Sequence, residues 1–178
     1  MSTNNRPIAM RAAADALANV GVVEEEDNRG KAVETYQAAV GIPPGSPWCA
    51  AFVRYRLEQS AKILGAKLPP GFPDSGWTPA YESWAKLHGF WVPITEAQNG
   101  VIKPRTGDLA LFWFAAKSRI AHIGIVVEPS KDWGVVTVEG NTGPDTEDGV
   151  NRDGDGVYRK RRAWHELGAK GGFARLNW

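Results

Sequence analysis

The 178-residue chain contains one cysteine, Cys49, and three histidines, His88, His122 and His165. A cysteine and a histidine are the minimum for nucleophilic thiol chemistry: the thiolate attacks, and the imidazole takes and returns the proton. Cys49 lies in the stretch Pro43-Pro44-Gly45-Ser46-Pro47-Trp48-Cys49-Ala50-Ala51-Phe52-Val53. A Pro/Gly-rich loop runs there into the first turn of a helix. N–H groups in a first turn lack intrahelical acceptors, and their partial positive charge favours a thiolate. The alternative for a lone cysteine is simple burial in a core, and Cys49 by itself does not decide between the two.

A nucleophile needs a base, and the base needs an orienting group. His88 closes a short helix beside Gly89, and His165 sits in Trp164-His165-Glu166-Leu167. His122 opens the apolar run His122-Ile123-Gly124-Ile125-Val126-Val127 after the polar loop Lys117-Ser118-Arg119. A strand end can hold an imidazole at the edge of a cleft, so His122 is the preferred base. The next strand ends in Val138-Glu139-Gly140-Asn141. Residues two apart in an extended segment point to one side, so either Glu139 or Asn141 could fix the imidazole tautomer. Gly140 would admit a close backbone approach. The bland reading of the same residues is a polar strand exit into a turn.

The positioning elements follow from periodicity. Residues 7–20, 31–40, 47–64 and 78–87 carry helical spacing, with Thr78-Pro79 read as an N-cap followed by a first-turn proline. In the third helix Cys49, Phe52, Val53, Leu57, Ala61 and Leu64 form one stripe, which places Cys49 at its inward edge. The acidic run Glu24 to Asp27 reads as a solvated loop, and residues 88–106 read mostly as loop. Strand-length apolar runs then follow at 109–114, 122–127, 135–139, 157–161 and 173–176, separated by short turns that favour antiparallel pairing. The expected fold class is α+β, with N-terminal helices packed on a C-terminal antiparallel sheet in a single domain spanning residues 1–178.

Four segments occur in an order that resembles the CHAP family, cysteine- and histidine-dependent amidohydrolases and peptidases that cleave bacterial peptidoglycan. They are Pro47-Trp48-Cys49-Ala50-Ala51-Phe52-Val53, Gly107-Asp108-Leu109-Ala110-Leu111-Phe112, His122-Ile123-Gly124-Ile125-Val126 and Val138-Glu139-Gly140-Asn141. The likeness covers about residues 28–162. It implies a papain-like α+β fold, Cys49 as nucleophile, His122 as general base and Glu139 as the residue orienting the histidine. Asn141 takes the place of the polar partner that assists the histidine or the oxyanion. Asp108 falls in a Gly-Asp pair that is structural. The implied reaction is hydrolysis of an amide through a Cys49 thioester. The bond is either that of an N-acetylmuramoyl-L-alanine amidase substrate or a peptide bond of the stem or cross-bridge.

Some family members carry an acidic calcium loop before the cysteine. Here that place holds Ile42-Pro43-Pro44-Gly45-Ser46, without carboxylates, so no metal and no cofactor is expected. Asn151-Arg152-Asp153-Gly154-Asp155-Gly156 fits the start of an EF-hand loop. Its twelfth position is Arg162 instead of a bidentate Glu, so a plain turn is the preferred reading. The basic run Arg159-Lys160-Arg161-Arg162 is split between two faces by strand alternation and reads as a solvated edge. Of eight tryptophans, Trp48 and Trp77 are candidates to line a substrate groove and the others to fill the core.

Composition limits the partners. A net charge of +1, with 43% hydrophobic and 23% charged residues, describes a globular domain with no electrostatic case for nucleic acid. One cysteine excludes an internal disulfide. No signal peptide or membrane-inserting segment is read. The expectation is a protein made in the cytoplasm that reaches the wall after lysis or by another delivery system, with an immunity protein as partner if it is a secreted effector. Two other readings share these residues: a cysteine protease or amidase acting on non-wall substrates, and a non-catalytic wall-binding module in which Cys49 is unreactive.

Overall fold

The computed structural model describes residues 6–144 and 153–176. It is an α+β arrangement of five helices and a six-stranded, wholly antiparallel sheet. The helices are α1 (Arg6–Leu17), α2 (Lys31–Ala38), α3 (Cys49–Ile63), α4 (Thr78–Leu87) and α5 (Ile94–Gln98). The strands are β1 (Trp91–Pro93), β2 (Leu109–Phe114), β3 (Arg119–Lys131), β4 (Gly134–Thr142), β5 (Gly156–Ala163) and β6 (Gly172–Ala174), ordered β1-β6-β2-β3-β4-β5 across the sheet. None of the described helices is long and apolar enough to cross a membrane.

Both faces of the sheet are covered. On one, Leu109, Leu111, Ile123, Ile125 and Val138 meet Ile8, Phe52, Leu57 and Tyr81 from the helices. On the other, Ala110, Phe112, Val126 and Phe173 meet Val92, Ile94 and Ala97, with Trp164 and Leu167 from the 3-10 turn after β5. Burial on both faces explains why β2, β3 and β4 read as continuous apolar runs and not as alternating ones. The stretch read as loop between residues 88 and 106 contains β1 and α5. Three and five residues are too short for periodicity to register, and Pro93 is tolerated because β1 is an edge strand.

Helix α3 begins at Cys49 itself, with Trp48 as N-cap residue. Its first turn is buried all round, since Ala50, Ala51, Phe52 and Val53 are all inaccessible. It lies against β4 at Gly140, where a Cβ would come within 2.6 Å of the Trp48 ring and 2.9 Å of Phe52. Glycine therefore sets how closely the helix start approaches the sheet. The expected N-cap role of Thr78 is corrected: Trp77 is the N-cap residue, and the Thr78 hydroxyl donates to the Ile120 carbonyl of β3 at 2.9 Å. That bond ties α4 to the strand carrying His122.

Candidate active site

Three chain segments converge at the start of α3. Cys49, 6% exposed, is on the wall of a cleft of about 430 Å³ that is also bordered by Trp77, Arg119 and Ala121. The first intrahelical bond is Phe52 N–H to the Trp48 carbonyl. The N–H groups of Cys49, Ala50 and Ala51 thus have no acceptor four residues back, and they carry the positive end of the helix dipole beside the sulfur.

His122 is fully buried on β3, paired with Phe112 of β2 and with its ring 5.3 Å from the Phe112 ring. Its Nε2 is 2.8 Å from Glu139 Oε2. Its Nδ1 has no hydrogen bond of ordinary geometry, which leaves that nitrogen for the thiol. Burial disfavours the imidazolium, but hydrogen bonding and charge from Cys49 and Glu139 outweigh it and raise the imidazole to about 9. Contacts of this kind are commonly loose before substrate binds and tighten afterwards.

Glu139 follows from alternation in β4. Gly140 faces α3, so Glu139 turns to the opposite face, into space left by Gly124, where a Cβ would come within 2.5 Å of Glu139 Cγ. Its carboxylate is fully satisfied. Oε1 accepts from Thr137 at 2.6 Å and from Arg162 Nε at 2.8 Å, and Oε2 accepts from Arg162 Nη2 at 2.7 Å besides meeting His122. Burial alone would push this carboxyl upward. The Arg162 guanidinium first, and then His122, hold it far below the ordinary carboxylate range. Arg162 in turn reaches Glu166 at 3.1 Å, and burial of its charge is outweighed by the two carboxylates, which raise its proton affinity further. A continuous chain of polar contacts runs His122, Glu139, Arg162, Glu166.

Asn141 is placed differently from expectation. Beyond Glu139 the β4–β5 register shifts, and Asn141 has φ 55°, so the two-residue alternation fails there. Its side chain makes no hydrogen bond to His122. Oδ1 accepts the Trp48 backbone N–H at 3.0 Å, while Nδ2 donates to Asn28 Oδ1 at 3.0 Å, the Gly154 carbonyl at 3.1 Å and Glu24 Oε1 at 3.5 Å. With those donors engaged, Asn141 anchors the start of α3 and is not aimed at an oxyanion. Trp48 is also corrected. It is 0% exposed, its ring packs against Tyr36 and Phe52, and its Nε1 donates to Glu24 Oε1 at 2.6 Å, so it fills the core behind the cleft. Trp77, 53% exposed, does border the cleft. His88 is exposed and bound to the Trp84 carbonyl, and His165 is exposed in the 3-10 turn after β5.

The supports of the site differ from expectation. The basic run expected at a solvated edge divides: alternation buries Lys160 and Arg162 and exposes Arg159 and Arg161. The signal was present in the spacing of the four cations, but nothing local identified which pair faces Glu139. Glu24, expected in a solvated loop, accepts from both Trp48 Nε1 and the Asn28 N–H. Buried Gln37 donates to the carbonyls of Asn28 and Ser46, stapling the Pro-rich entry loop. Asp108 is structural, as expected: it accepts from Arg105 N–H and from Arg175, and burial raises its carboxyl despite them.

Residues 151 and 152 of the Asp/Gly segment lie outside the described residues. Within it, Asp155 accepts from the Tyr158 hydroxyl. Among the described residues no group of three or more His, Cys, Asp and Glu side chains is placed to hold a metal ion. No known family, curated protein or solved structure matches the chain.

Proposed function

We propose that the protein is a cysteine-dependent amide hydrolase acting on bacterial peptidoglycan, with the papain-like arrangement that its four segments resemble. The observation that carries the enzymatic reading is His122. One ring nitrogen is fixed by a buried, fully ionised carboxylate at 2.8 Å, and the other is left for a thiol at a helix start beside an open cleft. Most buried side-chain polar atoms have a partner, so an unpartnered imidazole nitrogen calls for a ligand or a reacting group. The choice of peptidoglycan rests on the resemblance in residues 28–162.

In this reading Cys49 and His122 form a thiolate–imidazolium pair. The sulfur attacks the scissile carbonyl, and the developing oxyanion is met by the free first-turn N–H groups, that of Cys49 first. Collapse expels the amine, which takes the proton from His122 Nδ1. Neutral His122 then removes a proton from water, the hydroxide attacks the thioester, and Cys49 leaves as thiolate while His122 is protonated again. Glu139 stays ionised throughout and holds the Nε2–H tautomer.

Incubation with purified peptidoglycan should release soluble fragments bearing new amino and carboxyl ends, whose sequencing identifies the bond. The Cys49→Ala protein should release none. Solubilisation by Cys49→Ala at the wild-type rate would refute the mechanism. Hydrolysis of unrelated peptides with no action on the wall would refute the substrate.

A further inference from the structure

We propose that the cleft beside Cys49 selects substrates carrying a free carboxylate close to the scissile amide, and that Arg119 on the face of Trp77 is the receptor for that carboxylate. This deepens the reading of Cys49 as the nucleophile and rests on it. The Arg119 guanidinium carbon lies 4.1 Å from the Trp77 ring centroid, and both residues border the cleft that contains Cys49. One Nη donates to the Ile120 carbonyl at 2.9 Å. The side chain is thus held from two directions: its guanidinium carbon lies over the indole ring, and the strand carbonyl holds one Nη.

Among the described residues only one Nη of Arg119 has an acceptor, the Ile120 carbonyl, so the remaining N–H donors face the cleft unengaged. Among the described residues no carboxylate pairs with Arg119. Asp74, the other charged residue bordering the cleft, is engaged with Arg54 at 3.4 Å. The rest of the wall includes Val40, Ile42, Pro47 and Ala121. One pre-ordered planar cation in a largely apolar cleft is the arrangement for a ligand with an aliphatic body and a carboxylate head. Holding the guanidinium on the indole beforehand removes much of the ordering cost that a flexible cation would incur on binding.

The test compares two thiol reagents of similar shape and different charge, iodoacetate and iodoacetamide, on wild-type and Arg119→Gln protein at near-neutral pH. His122 contributes its charge equally to both proteins, so the variant isolates Arg119. The ratio of iodoacetate to iodoacetamide rates at Cys49 should be about three- to tenfold lower in Arg119→Gln, and the wild-type ratio should fall towards it in high salt. Ratios that agree between the two proteins overturn the proposal while leaving the nucleophile reading intact. Alkylation of Cys49 no faster than that of free cysteine with either reagent counts against the nucleophile reading instead.

Titrating Cys49→Ala protein with N-acetylalanine and its carboxylate-free analogue N-acetylalaninamide, followed by NMR at the Trp77 indole N–H, then decides the carboxylate site without thiol chemistry. Shifts selective for N-acetylalanine that vanish in Cys49→Ala/Arg119→Gln support the site. No shift, equal shifts for both compounds, or shifts that survive the second substitution overturn it.

Discussion

Arg162→Met removes the guanidinium while keeping an unbranched apolar stem of similar reach. In the folded protein this leaves Glu139 buried, with only Thr137 and His122 to serve it. Stranding one partner of a buried ion pair costs about 3–5 kcal/mol, and the surviving contacts to Thr137 and His122 place this case near the lower end, about 3 kcal/mol. The loss has a pH signature. A carboxyl whose folded value is depressed stabilises the fold above its ordinary value, here 4.5, and that contribution is lost as pH falls towards the folded value. The depression of Glu139 depends first on Arg162, so wild type should lose about 2 kcal/mol between pH ~6 and pH ~3 that the variant has already lost. Urea unfolding of both proteins across that range measures it: the gap should be about 3 kcal/mol near neutrality and shrink by about 2 kcal/mol on acidification. Glu139→Gln/Arg162→Met, which removes both charges, should recover part of the stability but not the hydrolysis. A gap below about 1 kcal/mol at neutrality, or one unchanged in acid, would refute the buried clamp.

Three further outcomes follow from the geometry. His122 is raised to about 9, so its stabilisation is fully present below the ordinary value of 6.5 and is lost as pH rises through about 9. The alkaline limb of hydrolysis should fall there, and in Glu139→Gln it should move down towards 6.5, as read from pH–rate profiles of wall digestion. Asn141→Gly removes the acceptor of the buried Trp48 N–H while permitting φ 55°. It should cost about 1–3 kcal/mol, and Asn141→Ala should cost about 1 kcal/mol more through left-handed strain; iodoacetamide should modify Cys49 more slowly in both. Trp48→Ala should lower stability by about 3–5 kcal/mol. Trp77→Ala should stay within about 0.5 kcal/mol of wild type and act on KM instead, so thermal unfolding and kinetics together distinguish core from cleft.

What the sequence determined by itself is what local spacing encodes. A helix start within two residues of Cys49, the span of α4, the identity of β2 and the approximate centres of β3, β4 and β5 all follow from runs and periods within a dozen residues. The preference for His122 rests on its opening an apolar run, whereas β3 begins at Arg119, so His122 lies inside the strand and is fully buried. The pairing of Glu139 with His122 depended on a neighbouring-strand relation that segment order made plausible and that the register of β3 with β4 supplied. The tertiary structure alone decided the rest. Asn141 left the histidine because a register shift and a left-handed backbone turn it to the Trp48 N–H. Trp48 left the groove because Gly140 lets the helix start sink onto β4, carrying the indole inside. Arg162 became the clamp on Glu139 because a β5 side chain on the same face can reach along β4, a relation between residues 23 apart in sequence. Types of side chain and their local period are written in the chain. Which buried charge meets which depends on strand register and helix approach, and these are settled only when the whole core closes.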